Sequence, residues 1–218
     1  MNETIQNIAV YALPILFAIT LHEAAHAYAA KYFGDLTAYS MGRMSLNPLR
    51  HIDPIGTILI PLVLALSQSP FIFGYAKPVP VDFSRLRNPR RHTAWVALAG
   101  PAANLLMALF WMILFFVLDA GGFNEKYFYL VAKAGVLINL VLFAFNLFPL
   151  PPLDGGRIMT SILPNRYAYN FARIEPYGFF IVLGLMMLNL LQYWMVPVIA
   201  GANILLTVFI TPLKFLLN

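Results

Sequence analysis

Residues 5–33 read IQNIAVYALPILFAITLHEAAHAYAAKYF, and this stretch decides the class of fold. About 20 apolar residues in a helix span the roughly 30 Å hydrocarbon core of a bilayer, so this run is long enough to cross it with some tilt. Residues 1–7, MNETIQN, contain no Lys or Arg, whereas a cleaved signal peptide would begin with one. The sequence therefore predicts a first membrane helix that is retained.

The composition of the whole chain supports a membrane protein. Of its 218 residues, 61% are hydrophobic and 11% are charged, against about 45–50% and 25% in an ordinary soluble domain. A soluble fold of this length could not bury so much apolar surface in one core. The net charge of +5 is spread in short clusters between apolar runs, which favours contact with anionic lipid headgroups over nucleic acid.

Further apolar runs predict an all-α polytopic membrane protein with five to six transmembrane helices. The whole chain, 1–218, is expected to form a single integral-membrane domain, since no repeat or separate soluble region interrupts it. Gly, Pro and charged residues separate the runs that follow the first one, which lie at 93–118, 127–148, 177–193 and 195–216.

The region between the first two of these helices is harder to assign. Residues 55–75 are apolar but are interrupted by Pro61 and by the polar stretch 67–70. We expect a re-entrant segment or one packed between helices, which is tolerated where protein covers the backbone. The alternative is a sixth span. The following sequence KPVPVDF, at 77–83, alternates around two prolines and predicts a short edge strand.

Basic residues predict the orientation in the cell membrane. Loops 77–91 and 150–175 are rich in Arg, whereas 119–126 has a single Lys beside two acids. Because basic loops stay on the cytoplasmic side, loops 77–91 and 150–175 should be cytoplasmic and the N-terminus extracytoplasmic. A sixth span would place the most basic loop outside, which argues for the re-entrant interpretation.

The first helix carries the pattern His22-Glu23-Ala24-Ala25-His26. Positions i and i+4 share a helix face, so both imidazoles can reach one metal ion while Glu23 lies beside it. The chain has no Cys, so a metal must use His, Asp or Glu ligands. Zinc suits this set, and a catalytic zinc takes three protein ligands and keeps one open position. A third ligand is therefore needed from elsewhere.

Asp154 is the candidate for that third ligand. It follows a membrane run in the segment NLFPLPPLDGG, at 146–156, in which Pro149, Pro151 and Pro152 cannot continue an α-helix. An extended backbone here could push the carboxylate into the helix bundle. A helix-terminating turn with Asp in a turn position explains the same residues equally well.

Three motifs together resemble the site-2 protease family of intramembrane zinc metalloproteases. They are the HExxH pattern, the segment Gly100-Pro101-Ala-Ala-Asn104, and Asn146-x-x-Pro149-x-Pro151-x-Leu153-Asp154-Gly155. The stretch 47–81 is similar to the compact bacterial and archaeal branch of that family. We expect no PDZ-like or CBS-like module in a chain of this length.

The resemblance implies an activity and a role for each site residue. His22, His26 and Asp154 would bind one Zn²⁺ per chain, and Glu23 would be the catalytic base. Asn146 would lie near the zinc and bind substrate backbone or the oxyanion. The catalytic core would cover about 5–157, with its active site toward the cytosol and C-terminal helices at 177–216. Substrates would be transmembrane proteins or peptides.

Two other functions remain open on the sequence alone. One is a metal-binding membrane protein without proteolytic activity, such as a transporter, and the other is a structural membrane subunit. The oligomeric state is not predicted.

Several polar residues are expected to have structural roles. His51 and His92 are assigned to headgroup contact or capping, and Asn139 to interhelical hydrogen bonding. Arg157 either caps the Asp154 segment or meets lipid phosphate.

Overall fold

The computed structural model describes residues 2–67, 77–123 and 125–217, and these ranges are helical with no β-strand. Two short 3₁₀ turns lie at Pro48–Arg50 and Phe83–Arg85, and one π-helical turn lies at Pro54–Leu59. The α-helices in chain order are α1 Asn2–Phe33, α2 Thr37–Ser40, α3 Ile60–Leu66, α4 Pro89–Ala120, α5 Lys126–Asn146, α6 Asp154–Ile162, α7 Asn165–Ala172, α8 Glu175–Met187 and α9 Gln192–Leu217.

Local sequence sets the ends of the long helices. The first helix, α1, stops at Gly34, whose φ of +114° suits a residue without a side chain. The N–H of Asp35 then closes the last turn by donating to the Ala30 carbonyl at 2.9 Å. The N-terminus of α4 is capped by Asn88, whose side chain accepts from the Arg91 N–H, and Pro89 occupies its first turn.

Four helices in the described ranges are long and apolar enough to cross a membrane: Gln6–Phe33, Pro89–Ala120, Lys126–Asn146 and Gln192–Pro212. The prediction of a fifth span at 177–193 is not confirmed, because α8 has 13 residues and is only about 20 Å long. The chain therefore has the fold of a helical multi-pass membrane protein, with four candidate membrane-spanning helices among its described residues.

The path of the chain around α8 explains this difference. At the start of α8, Gly178 lies directly against the backbone of Pro151, just beyond the end of α5. At the start of α9, the Trp194 indole donates to the Ala144 carbonyl at 2.8 Å, near the same end of α5. The start of α8 and the start of α9 thus lie near the same end of α5, so α8 does not carry the chain across the bundle.

Helices α1, α4 and α5 pack tightly against one another, and α9 packs on α4 and α5. Small residues allow the close approach, as membrane interfaces require. Gly135 of α5, for example, faces the Trp111 ring of α4 so closely that a Cβ would lie 2.3 Å from it. A core cluster joins α9 to α4 and α5 through Ala108, Met112, Leu140, Ala202, Leu206 and Ile210.

The prediction of an edge strand at 77–83 is wrong. Pro78 and Pro80 have no N–H to give, and the neighbouring N–H groups bind elsewhere. The N–H of Lys77 donates to the His51 carbonyl, that of Val79 to the Glu23 carboxylate and that of Asp82 to the Asp35 carboxylate. With these donors used, the segment lies along α1 without pairing to a strand.

The Lys77–His51 hydrogen bond also brings together both ends of the segment that was expected to be re-entrant. Its described part consists of the π-helical turn and α3. The rest, at 68–76, lies outside the described residues.

The segment that connects α5 to α6 is compact, so the prediction of an extended backbone there is wrong. It forms successive turns, in which the N–H of Leu150 donates to the Phe148 carbonyl and that of Leu153 to the Leu150 carbonyl. Asp154 is nevertheless carried inward, because it is the first residue of α6.

Candidate active site

His22, His26 and Asp154 converge at one point inside the bundle. The Nε2 atoms of the two imidazoles are 3.0 Å apart, and each lies 3.2 Å from Oδ2 of Asp154. All three side chains are buried. One ligand atom from each residue lies within 4.8 Å of the other two, so the three residues could hold one metal ion.

The donor set fits zinc. Two imidazole nitrogens and one carboxylate oxygen form a common catalytic zinc site with an open position. Oδ2 of Asp154 is buried and accepts no hydrogen bond from the described residues, which a bound cation would explain.

Each imidazole is oriented through its second nitrogen. Nδ1 of His22 lies 2.6 Å from Oδ1 of Asn104, and Nδ1 of His26 lies 2.7 Å from the Val96 carbonyl. Both partners are oxygen acceptors, so each Nδ1 carries the hydrogen and donates. The Nε2 lone pairs consequently face the carboxylate, which is the tautomer that metal binding requires.

Asn104 is itself held by a chain of hydrogen bonds through the bundle. Its amide donates to the Ala18 carbonyl at 3.2 Å and to Oδ1 of Asn139 at 3.1 Å. Asn139 in turn donates to the Gly135 carbonyl at 2.8 Å. Both asparagines are fully buried. The interhelical role predicted for Asn139 is confirmed, and Asn104 has a positioning role that sequence reasoning missed.

Gly100 gives the imidazoles the room they need. A Cβ at this position would lie 2.4 Å from Nε2 of His26 and 2.6 Å from Cε1 of His22. Real Cβ atoms do not approach so closely, so α4 can pass the histidines only where it has no side chain.

Two further glycines set the position of Asp154. A Cβ on Gly155 would lie 2.2 Å from the Leu147 carbonyl oxygen, and one on Gly156 would lie 2.1 Å from the Pro151 nitrogen. The N-terminus of α6 therefore rests directly on the backbone of the preceding turns, which fixes the carboxylate opposite the histidines.

Glu23 lies beside the cluster and lines the same cavity of about 160 Å³. Its Oε2 accepts a hydrogen bond from the Val79 N–H at 2.7 Å. The segment that supplies this N–H is fastened at Asp82, whose N–H donates to the buried Asp35. The 77–82 segment therefore covers the cavity and orients the acid.

A larger groove of about 650 Å³ adjoins this cavity and is lined mainly by apolar side chains. Asn146, at the end of α5, lines both spaces, and its amide donates to the Leu142 carbonyl at 3.0 Å. Five other residues line both spaces: His22, Glu23, Pro78, Pro152 and Leu153.

The two remaining histidines lie outside the metal cluster. His51 is only 1% exposed, with Nε2 2.8 Å from the Ser45 carbonyl, so the headgroup alternative is wrong. The capping alternative is confirmed, because His51 is the C-cap residue of the 3₁₀ turn Pro48–Arg50. His92 accepts the Asn88 N–H at its Nδ1 and stacks on Phe33, which confirms a capping role.

Comparison with known proteins identifies the family. Residues 122–189 match the model of peptidase family M50. The chain is 38% identical over 207 residues to "Putative zinc metalloprotease YwhC" of Bacillus subtilis (strain 168), which covers 90% of this chain and 89% of that protein. The chain belongs to peptidase family M50, the site-2 protease family. It is therefore a membrane zinc metalloprotease, as the sequence motifs predicted.

More distant relatives agree with this assignment. "Putative zinc metalloprotease Rip2" of Mycolicibacterium smegmatis is 30% identical over 188 residues, which are 82% of this chain and 67% of that protein. "Zinc metalloprotease MJ0392" of Methanocaldococcus jannaschii is 24% identical over 163 residues, or 74% and 36% of the two chains. No solved structure matches the chain significantly.

Proposed function

We propose that this metalloprotease hydrolyses peptide bonds within or next to transmembrane segments of membrane-protein substrates. His22, His26 and Asp154 are its zinc ligands, and Glu23 is its catalytic base. The observation that carries the proposal is the convergence of three ligand atoms beside a glutamate at a cavity wall. One of these atoms is a buried carboxylate oxygen that accepts no hydrogen bond from the described residues.

Bound zinc would supply a Lewis acid that polarises the scissile carbonyl and makes a water more acidic. Glu23 would take the proton of the attacking water and pass it to the leaving amine. The Val79 N–H, which binds one carboxylate oxygen of Glu23, keeps the other oxygen directed to this task. Asn146 lines the cavity beside Glu23 and binds the substrate backbone or the oxyanion.

The apolar groove is the route by which a transmembrane segment reaches these residues. Its walls include Phe145, Phe179, Val182 and Met186, and it meets the catalytic cavity at Glu23. A helical substrate hides its carbonyls in internal hydrogen bonds, so it must unwind locally before attack.

The active site faces the cytoplasm in this proposal. Both Arg-rich loops adjoin the end of the bundle that holds the metal cluster, and basic loops remain cytoplasmic. The N-terminus is then extracytoplasmic, and the Lys77–His51 hydrogen bond, which joins residues on either side of 55–75, supports a re-entrant path for that segment.

Substitution of the base tests the proposed activity. Glu23→Gln should lower the cleavage rate of a transmembrane substrate by roughly 10²- to 10⁴-fold while the protein keeps its zinc, since an amide cannot accept the water's proton. Glu125→Gln is the matched control, because Glu125 lies at the other end of the bundle and its loss should leave cleavage unchanged.

Cleavage by purified protein in liposomes, with zinc measured in the same samples, gives the answer. Undiminished cleavage by Glu23→Gln would contradict the assignment of the base. Wild-type protein that holds zinc but cuts no substrate would favour the non-proteolytic alternative.

A further inference from the structure

Arg157 lines the catalytic cavity on the side away from the apolar groove. It lies one turn after Asp154 on α6, and it is a wall residue of the 160 Å³ cavity but not of the larger groove. Its side chain is 38% exposed, so this end of the cavity is open to water. A substrate that enters from the groove and passes Glu23 would reach Arg157 next.

Most other arginines near the site use their guanidinium groups to hydrogen-bond protein oxygens and so join segments of the chain. Arg90 donates to the carbonyls of Ser161, Ile162 and Leu163, which closes the C-terminus of α6. Arg43 donates to the carbonyls that begin the 77–82 segment. Three more hold backbone or side-chain oxygens near the same face: Arg50, Arg85 and Arg87.

Arg157 makes no such bonds in the described part of the chain. Its guanidinium lies over the Phe83 ring, 4.9 Å from the centroid, and one nitrogen is 3.7 Å from Oε1 of Glu175. The second distance is too long for a hydrogen bond. Because a guanidinium presents five donors in a plane, most of those of Arg157 are left for another acceptor.

Phe83 and Glu175 indicate which kind of acceptor the Arg157 guanidinium can bind. The Phe83 ring lies beside the guanidinium, and a guanidinium binds a carboxylate through paired N–H groups at its edge. Glu175, half exposed on the first turn of α8, shows that a carboxylate can approach this edge without steric conflict. It approaches only loosely, so a better-placed carboxylate could displace it.

We propose that Arg157, supported by Phe83, forms a subsite of the catalytic cavity that binds a substrate carboxylate on the water side of the scissile bond. Two groups can supply it: an Asp or Glu side chain of the substrate, or the free carboxylate that cleavage creates. Glu175 competes for the same guanidinium. This inference rests on the proposed function, since it names a feature of the substrate.

The first arm of the test uses transmembrane substrates that differ only in having Asp, Asn or Lys at one position on the water side of the cut. Wild type should show a KM about tenfold lower for the Asp than for the Asn substrate, as expected for a charge-assisted pair. Arg157→Gln should abolish this difference in KM. Arg157→Lys should keep part of it.

Glu175→Gln distinguishes binding from a merely structural pair. If Glu175 competes with substrate, its loss should lower KM for the Asp substrate, which is the opposite of the Arg157→Gln effect. If the Arg157–Glu175 pair only holds α6 to α8, both variants should change KM in the same direction, and the proposal is overturned. Arg166→Gln, an exposed arginine of α7 that is not a cavity residue, should keep the wild-type preference.

The second arm needs no catalysis, so its failure is separate from failure of the proposed activity. Peptides that end at the cleavage position, as free carboxylate or as amide, are bound to Glu23→Gln protein with and without Arg157→Gln. Tighter binding of the carboxylate form that disappears with Arg157→Gln assigns the subsite to the product carboxylate. If neither arm shows a carboxylate preference that depends on Arg157, the proposal is wrong.

Discussion

His22, His26 and Glu23 each have one side-chain atom hydrogen-bonded to protein, and Nε2 of each histidine is directed at Asp154. His22 and His26 donate through Nδ1 to Asn104 and Val96, and Glu23 receives the Val79 N–H. Polar groups at membrane depth cost about 2.5–3.5 kcal/mol each on insertion scales for comparable charged residues. Hydrogen bonding at one side and metal binding at the other together offset that cost.

Gly100→Ala tests how closely the helices must approach. Its Cβ would overlap the imidazole of His26, so the ligands must move, and zinc affinity should fall about 10- to 100-fold, as for other changes in the support of a metal site. The measurement is chelator competition for zinc on purified protein.

Gly201→Ala is the control for that substitution. Gly201 lies in α9 with open space around the added methyl group, and zinc affinity should not change. Equal affinities of the two variants would show that α4 need not lie so close to the histidines.

At the scale of elements, α8 fixes the turns that carry Asp154. Gly178 packs on the Pro151 carbonyl so closely that a Cβ would lie 1.8 Å from its oxygen. Gly178→Ala should therefore displace α8 or the turns, lowering stability by about 1–3 kcal/mol and cleavage at least tenfold.

Gly184, on the same helix, has nothing within contact distance of an added Cβ. Gly184→Ala should change stability by no more than about 0.5 kcal/mol. Thermal unfolding and cleavage rates of the two variants, measured side by side, check this. Equal stabilities and cleavage rates of Gly178→Ala and Gly184→Ala would show that α8 does not fix the turns that carry Asp154.

The sequence predicted some elements better than others, for physical reasons. The i, i+4 spacing of His22 and His26 is local, so it fixes a shared helix face without tertiary information. The apolar run at 177–193 has the composition of a span, but the contact of Gly178 with Pro151 is long-range and does not appear in hydropathy. The alternation at 77–83 suggested a strand, yet its N–H groups bind side chains from α1 and the loop after it.

The sequence could predict which residues of the candidate site are able to bind a metal, because that ability depends on residue type. It could not predict which of them meet in the fold. Asp154 is a possible ligand in any fold that brings it to α1. Its convergence with the histidines depends on the turns that precede α6, which the sequence did not predict. The interhelical role of Asn139 was predicted from its residue type, but its pairing with Asn104 was not predictable. Amides pair in membrane helices by register, and register depends on the packing of Gly100 and Gly135.

At the scale of the molecule, the proposed topology with four spanning helices places residues 2 and 217 on the same side of the membrane. The chain contains no Cys, so single cysteines report topology cleanly. Ser84→Cys should react with an impermeant reagent only after cells are opened, whereas Glu125→Cys and a cysteine appended after Asn218 should react in intact cells. Protection of the appended cysteine would mean that α8 crosses the membrane after all.

Zinc content of purified Asp154→Ala tests the central claim most directly, since that claim is one metal ion held by α1 and the start of α6. Wild type and Glu23→Gln should each contain about one zinc per chain, whereas Asp154→Ala should lose most of it, because two imidazoles form an incomplete site. Full zinc occupancy in Asp154→Ala would contradict the account and require the third ligand to come from another residue.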